Sequence, residues 1–138
     1  MLASTGGWFG WPCQQPSKDE PGYTESTPMR DCYKFDPPRR MSGIWINAYE
    51  QSLFVPAGSA MDDPKGAFIW LGEDRLGSAL PKDRLENLNR AYAITFIGSR
   101  TKIAGRYYGF AEHVVLVDRL MSIREIKRPA PGTIVSVK

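Results

Sequence analysis

The stretch from Ala91 to Gly98 constrains the fold more than any other: Tyr92, Ile94 and Phe96 alternate with Ala93, Thr95 and Ile97. Such a period of two is that of an extended strand, and because both sets are largely apolar, both faces are expected to be covered. Four consecutive apolar residues, Val114 to Val117, place a central strand over His113 to Asp118. A last strand is expected from Leu120 to Lys127.

Upstream, Gly43 to Pro56 is β-branched and aromatic with a polar break at Glu50-Gln51-Ser52. It predicts a strand, a bend and a second strand. Ala67 to Leu71 predicts a third, ended by Gly72. Pro81 to Asn89 opens on proline and sets Leu85 and Leu88 three apart, the spacing of one short amphipathic helix. The expected class is all-β with that single helix. Three short strands, a helix and two or three longer strands fit a five-stranded Greek-key barrel of the OB type, with a small β-sandwich as the alternative.

Residues 1 to 40 differ in kind. Gly6-Gly7, Pro12, Pro16, Pro21-Gly22, Pro28 and Pro37-Pro38 punctuate a segment with no sustained period, an arm with turns rather than regular structure. Its rings, Trp8, Phe9, Trp11, Tyr23, Tyr33 and Phe35, predict that it wraps against the barrel, with Trp8 and Trp11 covering the open end. The domain plan is thus an arm over 1–40, a barrel over 41–128, and a tail over 129–138 in which Thr133 to Lys138 adds an edge strand. One core is expected in a chain of 138 residues.

Both cysteines, Cys13 and Cys32, lie in the arm. A bridge between them would close a ring of about twenty residues, stabilising by roughly 3 kcal/mol in the chain-entropy model; the alternative is two ordinary thiols. A bridge would place the protein in an oxidising space, periplasmic or extracellular. The opening residues lack a basic segment followed by an apolar one, so export would depend on a leader absent from this chain, and a cytoplasmic location is the alternative. No apolar run approaches the length of about eighteen residues that spans a bilayer.

No catalytic signature emerges. The lone His113 has no nucleophile elbow to serve, and it is read as structural. Asp62-Asp63 and Glu73-Asp74 are read as solvated turn acids, with a hydrolase using them as a third reading of function. Two cysteines and one histidine do not make a four-ligand metal site, and no cofactor is expected.

Charge is distributed unevenly. Residues 90–138 hold nine Lys/Arg against three Asp/Glu, while residues 1–89 hold nine against twelve. The second half is therefore +6, and its basic, aromatic loop supplies the candidate ligand contacts: Arg100, Lys102, Arg106, Tyr107 and Tyr108, with Trp45 or Trp70 on the neighbouring sheet face. The competing reading makes the tyrosines of that turn lean on the core. Asp118-Arg119 and Arg124-Glu125 are expected to form exposed cross-strand ion pairs.

The segments Gly43-Ile-Trp-Ile-Asn-Ala-Tyr-Glu, Phe96-Ile-Gly-Ser-Arg-Thr, Gly105-Arg-Tyr-Tyr-Gly and His113-Val-Val-Leu-Val-Asp-Arg-Leu resemble a family of small uncharacterised bacterial envelope proteins with an OB-like barrel. The resemblance covers about residues 41 to 127 and leaves out the arm. It implies fold and export, and no catalytic residues. Phe110 and Ala111 stand where that family has a further glycine and histidine. The expected function is a non-enzymatic binding domain of the envelope, its partner a protein or a glycan. The alternative is a single-stranded nucleic-acid binder using the same basic loop.

Overall fold

A computed structural model describes residues 14–17, 19–26, 29–48, 51–61, 69–71, 88–107 and 111–137. Seven strands and one helical turn follow in order: β1 (Gln14–Pro16), β2 (Thr24–Ser26), α1 (Met29–Cys32), β3 (Arg39–Ala48), β4 (Gln51–Pro56), β5 (Ile69–Leu71), β6 (Arg90–Arg100) and β7 (His113–Ile126). The chain is all-β, as its alternation predicts. β1 and β2 form a separate antiparallel pair. The other five pair in the ring β3-β4-β5-β7-β6, which closes because β6 returns to β3. Around it only the β5–β7 pairing is parallel.

The period-two rule fills the inside. Trp45, Phe54, Leu71, Tyr92, Ile94, Phe96, Val115 and Val117 form the central cluster, with Met41, Leu120 and Ile123 packed against it. Leu120 breaks the odd-numbered phase of Val115 and Val117, Ile123 returns to it, and the reason is local. The β6–β7 register shifts twice, leaving Asp118 and Met121 as the unpaired residues of two bulges in β7. Sequence alternation ends at Asp118 for this reason, and the two strands expected over 113–127 are one strand of 14 residues.

Two further clusters cover the outside. Ile44, Ile46 and Ala91 pack beneath Met61 and Val135. The tail reaches them by bonding to the turn after β4: Met61 N–H donates to Thr133 O at 2.8 Å and Val135 N–H to Ser59 O at 2.9 Å. It makes a single bridge there, Ala60 with Ile134, rather than the expected edge strand. On the other side, Val114, Leu116, Tyr107 and Ala111 pack under Cys32, Tyr33 and Phe35 of the arm.

The arm has more order than its proline content predicts. Beyond β1, β2 and α1, residues 34–36 continue the line of β3 along the end of β6: Asp36 N–H donates to Arg100 O at 2.8 Å and Lys102 N–H to Lys34 O at 2.9 Å. The prolines at 37 and 38 interrupt the ladder without ending the alignment. Arg30 of α1 donates to the Asp118 carboxylate, which the bulge turns outward. Asp118 thus pairs with the arm, and Glu125 pairs with Arg90 at 3.4 Å, correcting the expected pairs Asp118-Arg119 and Arg124-Glu125. Trp8, Trp11 and Cys13 lie outside the described residues. Of the expected helix over 81–89 only Leu88 and Asn89 are described; neither is helical, and Asn89 takes a left-handed φ of 61°.

Candidate functional site

At the end of the barrel where β3 begins and β4 and β6 finish, Arg39, Arg40, Met41, Ser42, Phe54, Pro56 and Arg100 line a cavity of about 240 Å³. The sheet register explains how they meet. Arg39 faces Gly98 across the β3–β6 ladder, so Arg100, two residues on, is its diagonal neighbour on the same face. Such neighbours lie roughly 7–8 Å apart, within reach of one anion for two long guanidinium side chains. Gly98, between them, carries no side chain, and the Phe96 ring takes the space beside it. Arg40 alternates to the outer face, where Ile97 separates it from Arg119 on β7. Three of the described residues lining the cavity are arginines, and none is acidic.

Arg100 is the most constrained of the three. Its Nε is buried and has no hydrogen-bond acceptor among the described residues. Ser42 adds a hydroxyl, shared with Thr95 at 3.0 Å. Beneath, Met41 and Phe54 belong to the central core and make an apolar floor.

The residues singled out in the sequence separate in space. Arg100 lines the cavity. Lys102 and Arg106 are exposed further along the loop and do not line it. Tyr107 is only 3% exposed: its hydroxyl donates to Ile103 O at 2.8 Å and its ring meets Tyr33 edge-on at 4.9 Å. Trp45 is fully buried, stacks on Tyr92 at 5.1 Å, and donates from Nε1 to Ser52 Oγ at 2.8 Å. Both side chains are therefore packed in the core, as the competing reading of the tyrosine turn expects, and neither offers an open face of the kind expected of a stacking platform. Tyr108 and the acids Asp62, Asp63, Glu73 and Asp74 lie outside the described residues; Trp70 is placed only by its backbone in β5.

Arg39 and Arg40 are the residues that sequence reasoning missed. The signal was present in the dipeptide after Pro37-Pro38, but the arm was taken to run through residue 40. Two charges at a strand start read as solvated unless the neighbouring strand end is also basic.

His113 opens β7 and is buried. Its Nδ1 lies 3.1 Å from both Thr101 Oγ1 and Thr101 O, and Thr101 Oγ1 also accepts from Val114 N–H at 3.1 Å. Burial, and then the nearby Arg100 charge, push the imidazole below its ordinary range; Glu112, Asp36 and the Thr101 backbone act the other way. The folded state thus prefers the neutral ring, whereas the unfolded chain takes up its proton near pH 6.5. This contribution to stability is present above that value and is lost as pH falls below it. Thermal unfolding followed from pH 7.5 to 5 should show a steeper loss for the native chain than for His113→Gln. Equal slopes would remove His113 as the cause.

Among the described residues no three His, Cys, Asp or Glu side chains gather as metal ligands, and no helix is long and apolar enough to cross a membrane. The arrangement at the mouth brings arginines from β3 and β6 to one cavity. No protein-family model, curated protein or solved structure matches this chain.

Proposed function

We propose that this chain is a non-enzymatic binding domain of the bacterial envelope, an OB-like barrel that holds an anionic glycan at its basic mouth. The observation that carries the reading is the meeting of Arg39 and Arg100, from adjacent strands, at one cavity that Arg40 also lines and whose described lining holds no acidic residue. The strand order supports the OB-like part: the first barrel strand pairs with the second and fourth, and the third runs parallel to the fifth. OB barrels bind ligands at such faces, although a fold alone assigns no ligand.

Sedimentation with isolated bacterial cell-wall glycan tests it. The triple variant Arg39→Gln, Arg40→Gln, Arg100→Gln should bind about tenfold or more weakly, since charge-assisted arginine contacts are the strong ones. Undiminished binding by a folded triple variant would falsify the assignment. The single-stranded nucleic-acid reading needs aromatic faces open to bases. Trp45, Tyr92 and Tyr107 are buried, and Tyr23, in the turn before β2, is the one strongly exposed ring among the described residues. That observation favours the glycan.

Export belongs to the same proposal. No described cysteine is a free thiol, which supports a Cys13–Cys32 bridge. Alkylation at the moment of lysis should leave both cysteines unmodified until reduction; immediate labelling of Cys32 would remove this support for an oxidising compartment.

A further inference from the structure

Resting on that reading of the mouth, we infer that the group recognised there is a phosphate monoester carried on a sugar. Arg39 and Arg100, on one face of adjacent strands, bring two guanidinium groups to a cavity of about 240 Å³ that Arg40 also lines. A carboxylate brings one negative charge to them, whereas a phosphate monoester carries nearly two at pH 7 and three acceptor oxygens. The dianion matches the lining better in both charge and number of acceptors. Arg39 and Arg100 stand on one face of adjacent strands as diagonal neighbours, close enough for two guanidinium forks to share one tetrahedral anion. The buried Nε of Arg100, with no acceptor among the described residues, supplies a donor already withdrawn from water.

The rest of the lining selects what the phosphate is attached to. Met41, Phe54 and Pro56 supply apolar surface, and Ser42 supplies a hydroxyl that donates or accepts. A pyranose ring has both surfaces, carbon-bound hydrogens on its faces and hydroxyls at its rim. The cavity is smaller than the roughly 300–1,000 Å³ of drug-sized sites, which suits a single terminal residue rather than an extended chain.

Calorimetric titration of the full chain with glucose 6-phosphate, inorganic phosphate and glucuronate tests the inference. Glucose 6-phosphate should bind about tenfold more tightly than either comparison ligand. Its affinity should fall between pH 7.5 and 5, as the phosphate passes its second pKa near 6 and loses a charge. Arg100→Gln should weaken it about tenfold. Arg39→Gln, at an exposed strand start, should do the same and guards against a folding defect in the first variant. Glucuronate binding as tightly would overturn the phosphate assignment, and inorganic phosphate binding as tightly would overturn the sugar. If cell-wall glycan sedimentation depends on the three arginines while glucose 6-phosphate fails to bind, the inference falls and the binding site stands. If the arginines are dispensable for sedimentation, the underlying reading falls first.

Discussion

Gly43→Ala is expected to lower the unfolding free energy by about 3 kcal/mol, the upper part of the range for overfilling a packed core. A Cβ added at Gly43 would lie 2.2 Å from Val55 O and 2.8 Å from the Phe54 ring. The first contact is with the backbone of the paired strand, so relief requires β3 and β4 to move apart where Gly43 faces Pro56. Gly98 is built the same way, its added Cβ 2.2 Å from Leu116 O and 2.8 Å from the Phe96 ring. Each glycine lies under one phenylalanine, and the two rings meet edge to face at 5.1 Å inside the barrel. The glycines let the sheet coil tightly enough for its strands to meet, and the rings fill the space left by the missing side chains. Urea denaturation of the native chain and the variant measures the effect. A loss below about 1 kcal/mol would mean that the strands separate without cost and that Gly43 does not hold the curvature.

Trp45→Ala should cost about 3–5 kcal/mol, the usual range for truncating a buried tryptophan. Trp45 is fully buried at the centre of β3, its ring stacked on Tyr92 and surrounded by the inner cluster. Removal leaves a hole that two ladders of a small closed sheet cannot collapse to fill, because β3 is hydrogen-bonded on both sides. Trp45→Phe separates packing from polarity. It keeps most of the ring volume but removes the Nε1–H donor to Ser52 Oγ, and should cost only about 1 kcal/mol more than the change in packing. Chemical denaturation with both variants decides the matter. If alanine and phenylalanine cost the same small amount, Trp45 is peripheral to stability, and its reading as a ligand platform returns.

Much of this architecture is legible from alternation. β6 stands over nearly the residues that its period of two predicts, and β3 and β4 are the two strands expected over 43–56, with β4 starting at Gln51 inside the stretch Glu50-Gln51-Ser52 expected as a polar break. Alternation failed at the bulges. A bulge inserts one residue, so the pattern after Asp118 reads as a break between two strands, although the backbone stays extended and paired on both sides of it, and the second bulge at Met121 lies within the strand expected from Leu120. In the candidate site, Arg100 was legible because it ends a strongly patterned strand in a basic half of the chain. Tyr107 and Trp45 keep two readings in the sequence because an aromatic ring that stacks on a ligand and one that fills a core have the same composition. Only burial tells them apart, and burial depends on partners that are distant in sequence: Tyr33 for Tyr107, Tyr92 and Ser52 for Trp45.

The sequence alone determines that the chain is built of strands, where most of them lie, and that its second half is basic, because side-chain periodicity and charge are local properties. Tertiary structure decides which charges act together. Arg39 and Arg100 are separated by most of the barrel sequence and become neighbours only through the β3–β6 register. The β6–β7 register, bulged at Asp118, leaves that carboxylate to Arg30 of the arm, and the described lining of the cavity keeps its arginines without an acidic residue. Register is set by which faces must be buried when the sheet closes, a condition on the whole barrel that no local stretch of sequence contains.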